Sequence, residues 1–158
     1  MRVMKVSFEL NGENVAVETR PNRTLLDLLR DELRVTSVKK GCQQGECGAC
    51  TLLLDDIPVT SCIVLAPQVD GRKVTTLEGL EDDPLMTGLR EAFVENGAVQ
   101  CGFCTPGMLI SSYTLLRENP DPTEDEIKIA IEGNICRCTG FTKIIAAIGD
   151  AAERMADE

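Results

Sequence analysis

Cysteine is the residue type whose number and spacing carry chemistry in this chain, which has eight cysteines and no histidine. Four lie in the first half, Cys42, Cys47, Cys50 and Cys62, and four in the second, Cys101, Cys104, Cys136 and Cys138. Without histidine the chain has no Ser-His-Asp or Cys-His catalysis, no Cys2His2 zinc site, no proximal-His haem and no Rieske centre. Any metal or redox chemistry must run on sulfur. The first group reads Cys42-x4-Cys47-x2-Cys50 with Cys62 downstream, the plant-type [2Fe-2S] spacing. Gly41, Gly45 and Gly48 interleave these cysteines and let a loop wrap closely around an inorganic core, its N–H groups aimed at sulfur. A structural zinc loop is the alternative, although four intervening residues sit at the edge of its usual spacing. The glycines fit neither G-x-G-x-x-G nor a Walker loop.

The second group pairs Cys101-x2-Cys104 with Cys136-x-Cys138. Each pair directly precedes an expected helix, so a shared centre would face two helix N-termini, whose partial positive charge suits an anionic cluster. Cys101-Gly-Phe-Cys104 alone also resembles a thioredoxin-type redox pair, but the required βαβ context is missing.

The positioning elements follow from periodicity. Val6, Phe8 and Leu10 alternate with polar residues, Asn11-Gly12 is a primed hairpin turn, and Val15 and Val17 continue the pattern. Thr24 with Asp27 predicts a capped helix with Leu25, Leu28, Leu29 and Leu33 as its buried stripe. Strands are expected at 51–54, 57–61 and 73–76, and the acidic stretch 77–84 reads as a domain boundary. Beyond it, helices are expected at 85–95, from an N-cap Thr105 with Pro106 to about Arg117, from the Thr123/Glu126 capping box to Gly133, and from about Thr142. The tail from Ala151 to Glu158 reads as a solvated helix end. These readings give an α+β fold with domains at 1–78 and 79–158.

The 158 residues carry a formal charge of -10 and are 43% hydrophobic, which fits a folded chain and argues against duplex nucleic acid and anionic membranes as partners. With no Trp, one Tyr and four Phe, stacking platforms for single strands are scarce. The segment 1–10 lacks the apolar core of a signal peptide, and no apolar run approaches the ~18 residues of a membrane span. A cytoplasmic location is therefore expected, where thiols stay reduced and ligate metal rather than pair as disulfides.

Three segments, Gly41 to Thr51, Gln100 to Gly107 and Gly133 to Gly140, together resemble the iron–sulfur subunit of the xanthine dehydrogenase family of molybdenum hydroxylases. The likeness covers nearly the whole chain. It implies a β-grasp plant-type ferredoxin domain followed by a four-helix-bundle domain, each with one [2Fe-2S] cluster. It implies that Cys42, Cys47, Cys50 and Cys62 hold the cluster nearer the flavin. Cys101, Cys104, Cys136 and Cys138 would hold the one nearest molybdenum, with Gln100 and Cys101 at the pterin. Implied partners are a large molybdopterin-binding subunit and a medium FAD-binding subunit, as a dimer of heterotrimers. The one departure is Met86-Thr87-Gly88, where relatives often carry a His-Pro stretch.

That likeness makes the chain an electron relay with no catalytic residue of its own, the substrate being hydroxylated on the large subunit. The Gly-Glu-Cys-Gly-Ala-Cys form of the first loop leans toward purine and other N-heterocycle hydroxylases. Carbon monoxide and aldehyde dehydrogenases of the same family stay open. A free-standing ferredoxin, which needs only the first four cysteines, and a zinc-stabilised interaction module are the readings from other classes.

Overall fold

Alternation along the first 19 residues produces a hairpin: β1 (Met4–Leu10) pairs antiparallel with β2 (Glu13–Thr19) across a two-residue turn. Asn11 and Gly12 both take positive φ, 51° and 86°, as a primed turn requires. Val6 and Phe8 point inward, and the polar residues between them face solvent. These coordinates, a computed structural model, describe residues 3–156; what was expected of residues 1–2 and 157–158 lies outside them.

Thr24 caps α1 (Leu25–Asp27) through its hydroxyl, which accepts from the Asp27 N–H at 3.1 Å. The expected single α-helix is instead one turn that widens into a π-helical segment over Leu28–Glu32. Widening lets the adjacent Leu28 and Leu29 both be fully buried beside Leu25 and Leu26, while Leu33 is only half-buried. Three more strands follow, β3 (Thr51–Leu54), β4 (Ile57–Thr60) and β5 (Lys73–Thr75). The sheet order is β2-β1-β5-β3-β4, with β1 and β5 parallel and the other neighbours antiparallel.

A short 3-10 turn, Leu77–Leu80, leads to Asp83, whose carboxylate caps α2 (Pro84–Glu95). The Met86-Thr87-Gly88 departure therefore lies inside the first turns of α2 and leaves its start intact. Then come α3 (Thr105–Glu118), α4 (Glu124–Ile131) and α5 (Thr142–Ala156). Thr105 is not the N-cap of α3: Cys104 occupies that position, and Thr105 is the first helical residue. Thr123 and Glu126 form the expected capping box, but α4 ends at Ile131, two residues short of Gly133. The tail is not merely solvated, since Ala151 and Ala152 are buried against the helical core.

Two apolar clusters result, one under the sheet around Leu25, Leu52 and Val74, the other among the helices around Phe93, Met108 and Ile144. β3 is buried on both faces: Leu52 and Leu54 enter the first cluster, Leu53 the second. An α+β fold thus places two cores back to back, with β3 as their shared wall. Among the described residues no helix is long and apolar enough to cross a membrane.

Candidate metal centres

Residues 41–50 form a loop whose neck is closed where the Lys39 N–H donates to the Ala49 carbonyl at 3.0 Å. Gln43, Gly45 and Gly48 take positive φ, and the reversals turn consecutive N–H groups toward sulfur. Cys42 Sγ accepts from the N–H groups of Gln44 at 3.3 Å and of Glu46 and Cys47 at 3.4 Å. Cys47 Sγ accepts from the Cys42 N–H at 3.4 Å, and Cys62 Sγ from the Gly45 N–H at 3.3 Å. Cys62 is carried to this loop by Ser61, whose N–H and hydroxyl both donate to the Cys50 carbonyl, at 3.3 and 2.9 Å. At Gly41 a Cβ would stand 2.6 Å from Cys47 Sγ, so glycine leaves the sulfur its room.

The second group comes from two inter-helix loops. Cys101 and Cys104 lie between α2 and α3, Cys136 and Cys138 between α4 and α5. Cys101 Sγ and Cys138 Sγ are 3.6 Å apart at the surface. Cys136 is buried and receives the Thr139 hydroxyl at 3.2 Å. Cys104 stands at the N-terminus of α3, so one of the two helix ends expected to face this group does so directly.

Electrostatics sort the thiols. Donation from the Gln44 N–H first, then those of Cys47 and Glu46, holds the Cys42 thiol down to about 6. Burial, with the Cys50 thiol beside it, pushes Cys62 up to about 11. Burial and the neighbouring Cys136 push Cys104 up to about 12. Burial also acts upward on Cys136, but the Thr139 donors outweigh it and its thiol titrates low. The hydrogen bond to Cys101 raises Cys138. Each group thus mixes thiols that titrate low, Cys42 and Cys136, with thiols held high, Cys62, Cys104 and Cys138, which stay neutral until a cation displaces the proton.

All eight cysteines are free thiols. Among the described residues no three His, Cys, Asp or Glu side chains converge as a single metal ion would need. Neighbouring thiols interact in twos, Cys42 with Cys47, Cys50 with Cys62, Cys101 with Cys138 and Cys104 with Cys136. Two irons with two thiolates each suit such pairs better than one tetrahedral zinc does.

The two loops touch. The Ile135 N–H donates to the Cys47 carbonyl at 2.9 Å, joining a neighbour of Cys136 to a member of the first group. Asn134, buried, reaches from the second loop to the Gly48 carbonyl at 3.0 Å. Gln100 is exposed beside Cys101, on the same surface as Cys138. Cysteine spacing alone carries no role for Asn134 or Thr139. The available signals were an Asn just beyond the end of α4 and a hydroxyl three residues after Cys136.

The chain is similar to known proteins over its whole length. A family described as "2Fe-2S iron-sulfur cluster binding domain" matches residues 8–76, and one described as "[2Fe-2S] binding domain" matches residues 76–149. The chain is 50% identical over 157 residues to the nicotinate dehydrogenase small FeS subunit of Eubacterium barkeri, covering 99% of this chain and 100% of that one. It is 46% identical to the nicotine 6-hydroxylase small subunit of Paenarthrobacter nicotinovorans, covering 94% and 89%. Quinoline 2-oxidoreductase from Pseudomonas putida 86 contains a chain that superposes with a TM-score of 0.92 at 40% identity, over 99% of this chain and 98% of that one. With half its residues shared end to end with a small FeS subunit and two consecutive iron–sulfur domains in the same order, the chain belongs to the iron–sulfur subunits of the molybdenum hydroxylases.

Proposed function

We propose that Cys42, Cys47, Cys50 and Cys62 hold one [2Fe-2S] cluster and Cys101, Cys104, Cys136 and Cys138 a second. The chain then relays single electrons from a molybdopterin subunit toward FAD. The observation that carries this reading is the pairing of free sulfurs in two groups whose loops are hydrogen-bonded through Ile135 and Cys47. On this reading Cys42 with Cys47 and Cys50 with Cys62 would hold the irons of the first cluster, and Cys101 with Cys138 and Cys104 with Cys136 those of the second.

Each cluster, when bound, takes up and releases one electron at a time. The chain's own residues do the rest. The N–H groups of Gln44, Glu46 and Cys47 stabilise negative charge on Cys42, and that of Gly45 on Cys62. Buried Cys50, Cys62 and Cys136 keep water from one side of each centre. Hydrogen bonds across the junction fix the spacing between the centres. No acid, base or nucleophile is needed here, because the oxidised substrate lies on the partner.

In finer detail, residues 1–78 make a β-grasp ferredoxin domain and 79–158 a four-helix-bundle domain. Gln100, with Cys101, meets the pterin on the large subunit. FAD sits on a medium subunit, and the complex is a cytoplasmic dimer of heterotrimers. The large subunit's substrate is an N-heteroaromatic ring, a reading supported by the names of the nicotinate, nicotine and quinoline relatives.

The test is iron, acid-labile sulfide, zinc and molybdenum analysis of the complex purified anaerobically. About four irons and four sulfides per chain with stoichiometric molybdenum is the expected result. Two irons without molybdenum would leave a stand-alone ferredoxin. Zinc without sulfide would overturn the electron-transfer reading altogether.

A further inference from the structure

The geometry points to Thr139 as a positioning residue that sets the reduction potential of the second iron–sulfur centre, by holding a hydroxyl proton on the sulfur of Cys136. This rests on the reading of Cys136 as a cluster ligand. Thr139 Oγ1 lies 3.2 Å from Cys136 Sγ, and the Phe141 N–H donates to that same oxygen at 3.2 Å. As a ligand Cys136 is a thiolate and can only accept; the Phe141 N–H occupies one lone pair of the oxygen, and the hydroxyl hydrogen goes to the sulfur.

The backbone enforces this. Gly140 and Phe141 both take positive φ, 65° and 68°, which folds the chain back so that the Phe141 N–H faces the threonine. Phe141 has a Cβ, so its left-handed conformation carries strain that the surrounding packing must hold, and its side chain packs against the helical core. Cys136 is 7% exposed, so water competes poorly for its sulfur.

Taking up one electron adds one negative charge to a thiolate-ligated core. A hydrogen bond to a ligand sulfur favours the more negative, reduced state, and removing it lowers the potential. In the first group this work is done by backbone N–H groups, which no substitution but proline deletes. At Cys136 the Thr139 hydroxyl adds to the backbone N–H donors of Thr139 and Cys138, so the second centre can be adjusted by one residue without rebuilding its loop.

The experiment is an EPR-monitored redox titration of the assembled complex as wild type, Thr139→Val and Thr139→Ser, with hyperfine spectra recorded in H2O and D2O. Valine keeps the branched shape and removes the hydroxyl, and serine restores it. In T139V one of two titrating signals should shift to lower potential. At a fixed poise it would be reduced on the order of tenfold less, equivalent to ~59 mV for one electron. The other signal should stay in place, and T139S should titrate close to wild type. One of the exchangeable protons coupled to the second centre should be present in wild type and T139S and absent in T139V. An unshifted T139V at full iron content would overturn the assignment. So would a full set of exchangeable couplings that survives in T139V, or a T139V complex with two irons per chain where T139S has four, since the hydroxyl would then serve assembly. A wild-type complex with two irons and one signal would instead overturn the two-cluster reading beneath it.

Discussion

Asn134 donates its side-chain N–H to the carbonyl of Gly48 at 3.0 Å, 86 positions away in sequence, and its Oδ1 accepts the Ser111 hydroxyl at 2.7 Å. One buried amide therefore ties the first cysteine loop, the second cysteine loop and α3 together. Its orientation follows from its partners, because a carbonyl can only accept and the hydroxyl has its hydrogen free to give. The neighbouring bond from Ile135 N–H to Cys47 O joins the same two loops. The two halves, which also pack through α3 on β3, are thus hydrogen-bonded to each other where the two sulfur groups lie.

Asn134→Ala should lower stability by about 2 kcal/mol, chiefly because Ser111 is left in a buried site without its acceptor. The Gly48 carbonyl loses less, since the Thr51 N–H and hydroxyl also donate to it, at 3.0 and 2.7 Å. Asn134→Asp should be worse than alanine, as it sets a carboxylate oxygen against that carbonyl. Urea midpoints of the two variants against wild type read the order directly. An aspartate variant as stable as wild type would mean that the amide donor carries nothing.

Close approach at the same junction predicts opposite signs for two helical glycines. A Cβ on Gly107, early in α3, would meet the Gly48 carbonyl oxygen at 2.2 Å and Asn134 Nδ2 at 3.0 Å, and the carbonyl is backbone that cannot swing aside. Gly88 in α2 has nothing within 4 Å of such a Cβ. Gly88→Ala should therefore stabilise by about 0.5–1 kcal/mol through helix propensity. Gly107→Ala should destabilise despite the same gain, and weaken the hold of α3 on the first loop. Thermal unfolding of both variants checks the pair; a stabilised Gly107→Ala would show the junction to be loose.

What could be read from residue order was local. The hairpin turn at Asn11-Gly12 and the Thr123 capping box each depend on a few adjacent residues, and both appear as expected. The misreadings have tertiary causes. The α1 segment widens because adjacent leucines must all face one sheet, which helical periodicity does not encode. Ala151 and Ala152 are buried because α2 covers them, and a small apolar residue near a terminus carries no mark of that. Asn134 and Thr139 stood inside quoted motifs without a role, because their partners lie on another loop or depend on a backbone reversal at Phe141.

Tyr113 gives a pH-dependent test of the helical half. Its hydroxyl donates at 2.9 Å to the Asp83 carboxylate that caps α2, while the Arg117 guanidinium lies 5.5 Å above its ring. Burial first, then the Asp83 carboxylate, holds the phenol above its ordinary value of 10.0, with Arg117 opposing. A raised folded-state value means that the native protein binds this proton more tightly than the unfolded chain. The stabilisation is therefore complete below pH 10 and lost as pH rises through the folded value. The chain has one Tyr and no Trp, so the tyrosinate absorbance change reports this residue alone. Its midpoint should lie above 10 in the native protein and return to about 10 in urea. Tyr113→Phe should abolish the signal and cost about 1–2 kcal/mol at neutral pH. A native midpoint at or below 10 would sink the claim.

Separate anchoring of the two groups predicts that they can be lost separately. Cys104 and Cys136 belong to loops between helices, and neither is linked by covalent chain to residues 41–62 except through the strand-and-turn connection that precedes α2. Cys104→Ser should halve the iron, from about four to about two per chain, and remove one of the two EPR signals. Cys50→Ser should remove the other. The Cys50 carbonyl, which holds Ser61 and through it Cys62, is backbone and survives that change, so the loop itself should persist. Gln100→Ala should leave both signals and all the iron in place, because the side chain is exposed and the role proposed for it is toward the molybdenum partner. Its effect should appear as weaker retention of molybdenum during gel filtration of the complex. Were one cysteine variant to erase both signals at once, the halves would have to be treated as a single cooperative unit, with the Asn134 and Ile135 bonds as the means of coupling.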